Sequence, residues 1–593
     1  MGGGAATGGG AAAGGGAAAG GGGPATQLVI TSPVITTVAG SCAGPFSFES
    51  RNASGQTTAV MGLVTVSFGS LTTEVTFYND SGCTNSAGPS VLFSATKANH
   101  VVYVRSTLAG APTLTVSAAT LTGATQLLRV QPGAPVLTLS AGMATTVQAF
   151  GCLSMQAARR DAFGNPVPVS TMTAMALSAT PGLVRFYADP ACAGAPVTSL
   201  SMSAGSSTLN FGVRPITGGS PVVQATLAAQ SATASLQVDP AVRRGTCSLT
   251  AGALSTTCAI APAQRDLTKT LFVVQAIVPG ALQPGQAQVV CRLQSTSVVS
   301  CTRGLSGGAA TIAWQTLELP TGLTVARGFD PGCPASLPLV LPVDPATSFS
   351  LSSISTTGAD FGQADTTTSR LSLDGRSMVF NFAPASPCEG LEFQVATMSG
   401  VSVERGAAPG FTTGGPQGRV QTVGGLPQSS NNSVLVSQSA SFDAMPVPPN
   451  AAASMCHFFT RGELDSATVL RFTRGATVGS GCDSYAMGSI AWQRIDFGSR
   501  ATVQPYTSTF VGNVDQLSQD ITSIDTTRTL VFSGGMMASG LATGETAHNV
   551  AGNDDIGDSV ALFQLINDSR VTLVRGDNNA TSTFTWYAVQ FEP

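Results

Sequence analysis

The chain has 593 residues, 43% of them hydrophobic and only 10% charged, with a formal net charge of −4. That length exceeds what one hydrophobic core organises, so several domains are expected. Lys occurs only at Lys97 and Lys269 and no basic block exists, which excludes nucleic-acid partners; no apolar run approaches the ~18 residues that cross a bilayer, which leaves no transmembrane segment.

Residues 1–26 are almost entirely Gly and Ala, the composition of a flexible linker. The stretch lacks the charged and bulky apolar regions of a signal peptide, and Ala6 stands where a myristoylation signal needs Ser or Thr. A second reading places an export signal with a lipid anchor upstream of Met1.

From residue 27 onward, short β-branched runs alternate with Gly, Pro, Asn and Ser, and no apolar spacing of helical period is sustained. The expected fold is all-β and multidomain. Val75-Thr-Phe-Tyr-Asn-Asp-Ser-Gly-Cys83 returns as Val184-Arg-Phe-Tyr-Ala-Asp-Pro-Ala-Cys192, which divides the region into units at 27–120 and 121–239. Cys42 and Cys83 bracket the first copy and Cys152 and Cys192 the second, so one disulfide within each is expected. Disulfides persist in oxidising compartments, which points to export. About 100 residues of short strands with regular turn signals is the rhythm of an immunoglobulin-like sandwich.

At Asp161-Ala-Phe-Gly-Asn-Pro-Val167, followed by Phe186-Tyr-Ala-Asp-Pro-Ala-Cys192, the region 27–239 resembles the bacterial Ig-like repeats of surface lipoproteins and adhesins, especially myxobacterial ones. The first copy departs from that pattern, with Ser54-Gly55-Gln56 at the turn. The resemblance implies an exported, surface-attached protein and names no ligand.

A second unit repeats four times, at 240–330 (A), 331–416 (B), 417–506 (C) and 507–593 (D), each a smaller antiparallel β-sandwich. A late strand aligns as Ile312-x-Trp314, Leu391-x-Phe393, Ile490-x-Trp492 and Phe584-x-Trp586, so all three Trp of the chain share one position. Asp266-Leu-Thr-Lys-Thr-Leu271 matches Asp525-Thr-Thr-Arg-Thr-Leu530. The units look like tandem repeats of bacterial surface and phage-fibre proteins, with a faint likeness to H-type lectins in the last strand. Aromatics between alternating apolar neighbours are core positions, so Trp314, Phe393, Trp492 and Trp586 are expected to be buried rather than to stack on sugars. Cys456–Cys482 is the expected disulfide of unit C, with Cys333–Cys388 in B and 247–258 and 291–301 the favoured pairing in A.

The catalytic inventory is thin. His100, His457 and His548 lie in separate modules, each expected in a structural or surface role, and no Gly-x-Ser-x-Gly precedes a helix. Glu318 and Asp496 occupy equivalent positions of different repeats, which reads as strand surface rather than an acid/base pair. Asn553-Asp554-Asp555-Ile-Gly-Asp558 has carboxylates enough to raise the question of calcium, but EF-hand spacing is missing, and a solvated loop is the default. Arg575-Gly576-Asp577 aligns with Arg303-Gly304-Leu305 and Arg474-Gly475-Ala476, which makes Arg-Gly a strand-end feature and the Asp incidental. The expectation is a non-enzymatic, extracellular or cell-surface protein of adhesin type, without catalytic, cofactor or metal residues, that presents a β-domain array to a glycan or protein ligand. The alternative is a lectin-like protein that binds carbohydrate through its C-terminal repeats.

Overall fold

The computed structural model describes residues 23–592, except Thr73, 143–145, Gly182, 281–282, 358–366, 383–387, 412–419, 441–459, 475–488, 536–559 and 579–580. The described chain is nearly all β, with one short α-helix, Pro284–Ala287.

The two N-terminal sandwiches share one plan. In the first, Val75–Tyr78, Asn99–Ser106, Cys42–Asn52 and Ala25–Ile30 form one face, and Leu121–Gln131, Thr113–Ala118, Val64–Ser70 and Ser90–Phe93 form the other. The second repeats that order with Val184–Tyr187, Thr208–Pro215, Leu153–Arg160 and Val136–Ser140 against Gln230–Ser235, Val222–Leu227, Thr173–Thr180 and Ser199–Met202. Phe46, Phe48, Phe93, Val102 and Val104 fill the first core, and Met155, Phe211, Val213 and Val223 the second. Disulfides join Cys42 to Cys83 and Cys152 to Cys192. One boundary moves: Leu121–Gln131 pairs with Thr113–Ala118 and, in parallel, with Ile35–Val38, so this strand closes the first sandwich instead of opening the second.

The turn Asp161–Asn165 joins the two sandwiches. Asp161 accepts from the backbone N–H groups of Phe163 and Asn165, which pins the turn, and from Gly133 N–H. Asn165 then donates to the Thr107 carbonyl and accepts from Ala109 N–H, both in the first sandwich. The Phe163 ring lies on Gly40, where a Cβ would come within 2.2 Å of it; at φ +81° glycine is favoured at that position as well. In the first copy the corresponding Asn52-Ala-Ser-Gly-Gln56 keeps the self-pinning bonds from Asn52, but Ser54 replaces the aromatic ring.

Each C-terminal unit is a sandwich of two three-stranded sheets. The first sheet runs first–sixth–third strand, the second runs second–fifth–fourth. In A the strands are Val242–Leu249, Ser255–Ala259, Thr270–Ile277, Val289–Ser295, Val298–Arg303 and Ala310–Glu318. The first, sixth and third strands are Leu323–Asp330, Cys388–Met398 and Ser348–Thr356 in B, Ser402–Pro409, Ser489–Asp496 and Ser433–Ala440 in C, and Ala501–Phe510, Ser582–Phe591 and Thr529–Gly535 in D. These pairings correct the repeat boundaries. Leu323–Asp330, expected at the end of A, pairs with the sixth strand of B; Ser402–Pro409, expected in B, pairs with that of C; and the boundary at 506/507 falls inside the first strand of D.

The sixth strand is central in its sheet and carries the repeated aromatic inward. Trp314, Phe393, Trp492 and Trp586 are 4, 3, 6 and 0% exposed. In three units a glycine sits opposite the ring on the first strand: Gly245 pairs with Trp314, Gly328 with Phe393 and Gly406 with Trp492. A Cβ on any of them would stand within 2.7 Å of a ring carbon. In D the partner is Tyr506, which stacks on Trp586 with centroids 4.5 Å apart.

Sixth strands are also buried on their outer face, because that face packs against the neighbouring unit. The fourth strand of A lies against the third strand of B, that of B against the third of C, that of C against the third of D, and that of D against the third of A. The four units therefore close into a ring.

Candidate functional site

The ring is held by one residue position, directly after the repeated aromatic. The Gln394 side chain (B) accepts from Phe272 N–H and donates to Phe272 C=O in the third strand of A. Gln493 (C) makes the same pair of bonds with Ser350 of B, both at 2.9 Å, and Gln315 (A) with Val531 of D, at 3.0 and 3.1 Å. Each Gln thus satisfies both polar groups of one backbone residue, as a strand partner would. In D the position is Tyr587, fully buried beside the Leu435 backbone of C, its phenol pushed well above the usual range by burial.

An arginine just before the strand-one glycine reinforces three of the four seams. Arg244 donates to Thr529 C=O at 2.6 Å, Arg327 to Leu267 C=O at 2.5 Å, and Arg405 to the carbonyls of Pro345 and Ser348. Burial lowers Arg244 and Arg327 to about 10, so both remain charged at neutral pH. Unit D carries Pro505 at this place. The signal stood in the sequence as Val242-Arg-Arg-Gly, Val325-Ala-Arg-Gly and Val403-Glu-Arg-Gly, a repeat of the first strand that the late-strand alignment did not reach.

Ring closure brings the third strands together around one central cavity of about 400 Å³ that is partly open to solvent. Residues 272–276, 351–354, 436–438 and 532–533 line it, one stretch from each unit, and the fourth strand of A and the start of that of D complete the wall. Gln275 and Gln438 span the A–D and B–C seams in equivalent ways, accepting from Phe563 N–H and from Ser369 N–H. Among the described residues, one ionisable side chain lines the cavity. Glu392, 5% exposed, has its carboxyl raised to about 8 by burial, against the opposing pull of Arg327 and Arg292.

The other residues singled out in the sequence lie apart from this cavity. Glu318 is fully buried, bonded to Arg243 at 3.1 Å and to the N–H groups of Arg265 and Asp266, while Asp496 holds Ser430. Both anchor the segment that enters the third strand of their own unit; the separation into different units leaves no acid/base pair. Asp266 and Asp525 each cap a 3-10 turn by accepting from Thr268 and Thr527 N–H. Arg575 is 2% exposed over the Phe510 ring and donates to Val511 and Val514 carbonyls, so the Arg-Gly-Asp tripeptide has its cation inside the unit. Arg303 and Arg474 are buried likewise. His100 is packed against Phe48 and Phe68, its pKa lowered by burial and by Lys97. Further disulfides join Cys247 to Cys258, Cys291 to Cys301 and Cys333 to Cys388. Cys456, Cys482, His457, His548 and the Asp554, Asp555 and Asp558 cluster lie outside the described residues. Among the described residues, no group of three or more His, Cys, Asp or Glu is placed to hold a metal ion, and no helix is long and apolar enough to cross a membrane.

No protein-family model matches the chain, and no curated protein matches it. Among solved structures it is similar to the D00-D0 domain of intimin, at 12% identity over 36% of this chain and 98% of that one, with a TM-score of 0.22. The Yersinia pseudotuberculosis adhesin InvE is 15% identical over 46% of this chain and 72% of its own, TM-score 0.19. Invasin, described as a bacterial integrin-binding protein, is 10% identical over 79% and 99%, TM-score 0.21. Superpositions this remote carry no argument about function.

Proposed function

We propose that this chain is a non-enzymatic protein of the bacterial cell surface, in which two Ig-like sandwiches carry the four-unit ring outward as a binding head. The observation that supports this most is the continuity of the joints from end to end. Phe163 and Asn165 fix the first sandwich to the second; Gln148 donates to Glu318 C=O of unit A, and Gly218 N–H to Thr527 of unit D, which seats the second sandwich on the ring. A chain of docked modules transmits position to its far end, which is what a presenting stalk requires. Export fits the five disulfides among the described residues.

The ligand is an extracellular glycan or protein. Stacking on sugars would need aromatic faces in solvent, whereas the three Trp are internal; this favours a protein partner over the lectin-like alternative. Full-length protein tested on a glycan array and on intact cells separates the two. Saturable cell binding that survives deglycosylation supports the protein-binding reading, and sugar-specific array binding transfers the function to the lectin reading.

A further inference from the structure

We propose that the central cavity of the ring is a binding site for a small monoamine with an apolar body, whose ammonium group pairs with Glu392. The four units are related by repetition, but the cavity is not symmetric. Where B has Glu392, directly before the repeated aromatic, the other units have Ala313, Ala491 and Thr585. An acid has thus been placed at one of four equivalent seams. Its carboxyl accepts no hydrogen bond from any described residue, although a buried carboxylate ordinarily requires several. Neither nearby cation forms an ion pair with it: Arg292 lies over the Phe329 ring at 4.5 Å, and Arg327 donates to Leu267 C=O while its buried Nε and Nη2 have no hydrogen-bond partner.

The remaining wall sets the other half of the ligand. Val274, Ile354, Val436 and Phe532 make it largely apolar, and a volume of about 400 Å³ is within the range of small-molecule sites. An alkyl- or arylalkyl-ammonium ion satisfies both parts, its cation on Glu392 and its carbon body against the strands. In the free protein burial keeps Glu392 largely protonated at neutral pH. Binding the cation therefore ionises the Glu392 O–H bond and releases its proton to solvent, and no other covalent bond changes.

The test uses the full chain with n-hexylamine and n-hexanol, compared by titration calorimetry at pH 6, 7 and 8 in buffers of differing ionisation enthalpy. Hexylamine should bind at least about tenfold more tightly than hexanol at pH 8, as expected for a charge-assisted hydrogen bond. Its affinity should rise between pH 6 and pH 8, with release of up to one proton per amine. E392Q should erase both the preference and the proton release. Equal affinities for amine and alcohol, amine binding without proton release, or no binding of either probe would each overturn the proposal. The comparison within the unaltered protein stands even if E392Q fails to fold. A purely structural Glu392–Arg327 role would alter the melting of E392Q without giving the parent protein any amine preference.

Discussion

The Gln315 side chain accepts from Val531 N–H at 3.0 Å and donates to Val531 C=O at 3.1 Å, across 216 residues of sequence. This contact joins the first repeat to the last. Because Gln394 and Gln493 make the same bonds one unit on, the seam between A and D is built like those between A and B and between B and C.

Replacing Gln315 with Leu would strand a buried N–H and C=O at Val531. Each orphaned group costs about 1–3 kcal/mol. Q315L and Q493L should therefore lower stability by similar amounts, read as equal falls in denaturant midpoint. Little effect of Q315L beside a clear effect of Q493L would mean that the A–D seam does not hold the ring.

Removing the inward aromatic tests the core of single units. Trp314→Ala, Trp492→Ala and Trp586→Ala should each cost about 3–5 kcal/mol, the range for large-to-small changes in close-packed cores. Gly245→Val should be comparably harmful, since its first side-chain carbon would already stand 2.5 Å from the Trp314 ring. Thermal melts check both, and an unshifted melt of any Trp variant would place that ring outside the core.

Glu392 predicts a pH dependence with a definite sign. Its carboxyl is raised to about 8 in the folded chain from an ordinary 4.5, so the folded state holds the proton more tightly than the unfolded one. The stability linked to this group is fully present below pH 4.5 and is lost as pH rises through 8. E392Q, which keeps the neutral shape, should flatten the slope of denaturant midpoint against pH between 5 and 8.5. A parent protein and an E392Q variant with identical slopes would contradict the burial of this acid.

Phe163→Ala should loosen the joint between the two sandwiches without unfolding either, because the ring covers Gly40 while both cores are filled by other residues. Small-angle scattering should report a broader distribution of shapes for the variant and an unchanged melting profile.

Much of this architecture could be read before any coordinates. The strand class follows from β-branched runs and turn residues, and the inward position of Trp314, Trp492 and Trp586 from alternation between apolar neighbours, because both are local properties. Unit boundaries were less legible. The first strand of each unit pairs with the sixth, 65 (Gly328 to Phe393) to 86 (Gly406 to Trp492) residues later, and its Arg-Gly repeat has almost no apolar periodicity to mark it. The cavity was not legible at all. Gln315 and Gln493 repeat visibly after their Trp, but a polar residue on the outer face of a strand ordinarily faces water. Only ring closure turns that face into an interface and places Glu392 beside a void.

Closure itself is tested most directly by ending the chain at residue 498, which removes unit D, and following hydrogen exchange in residues 270–277 and 310–318 of unit A. In a linear array D touches only C, and exchange in A would be unchanged. The ring predicts that A loses the partner of Gln315 and Arg244, so amides in both segments should exchange faster than in the full chain. Unaltered protection of unit A would contradict the ring.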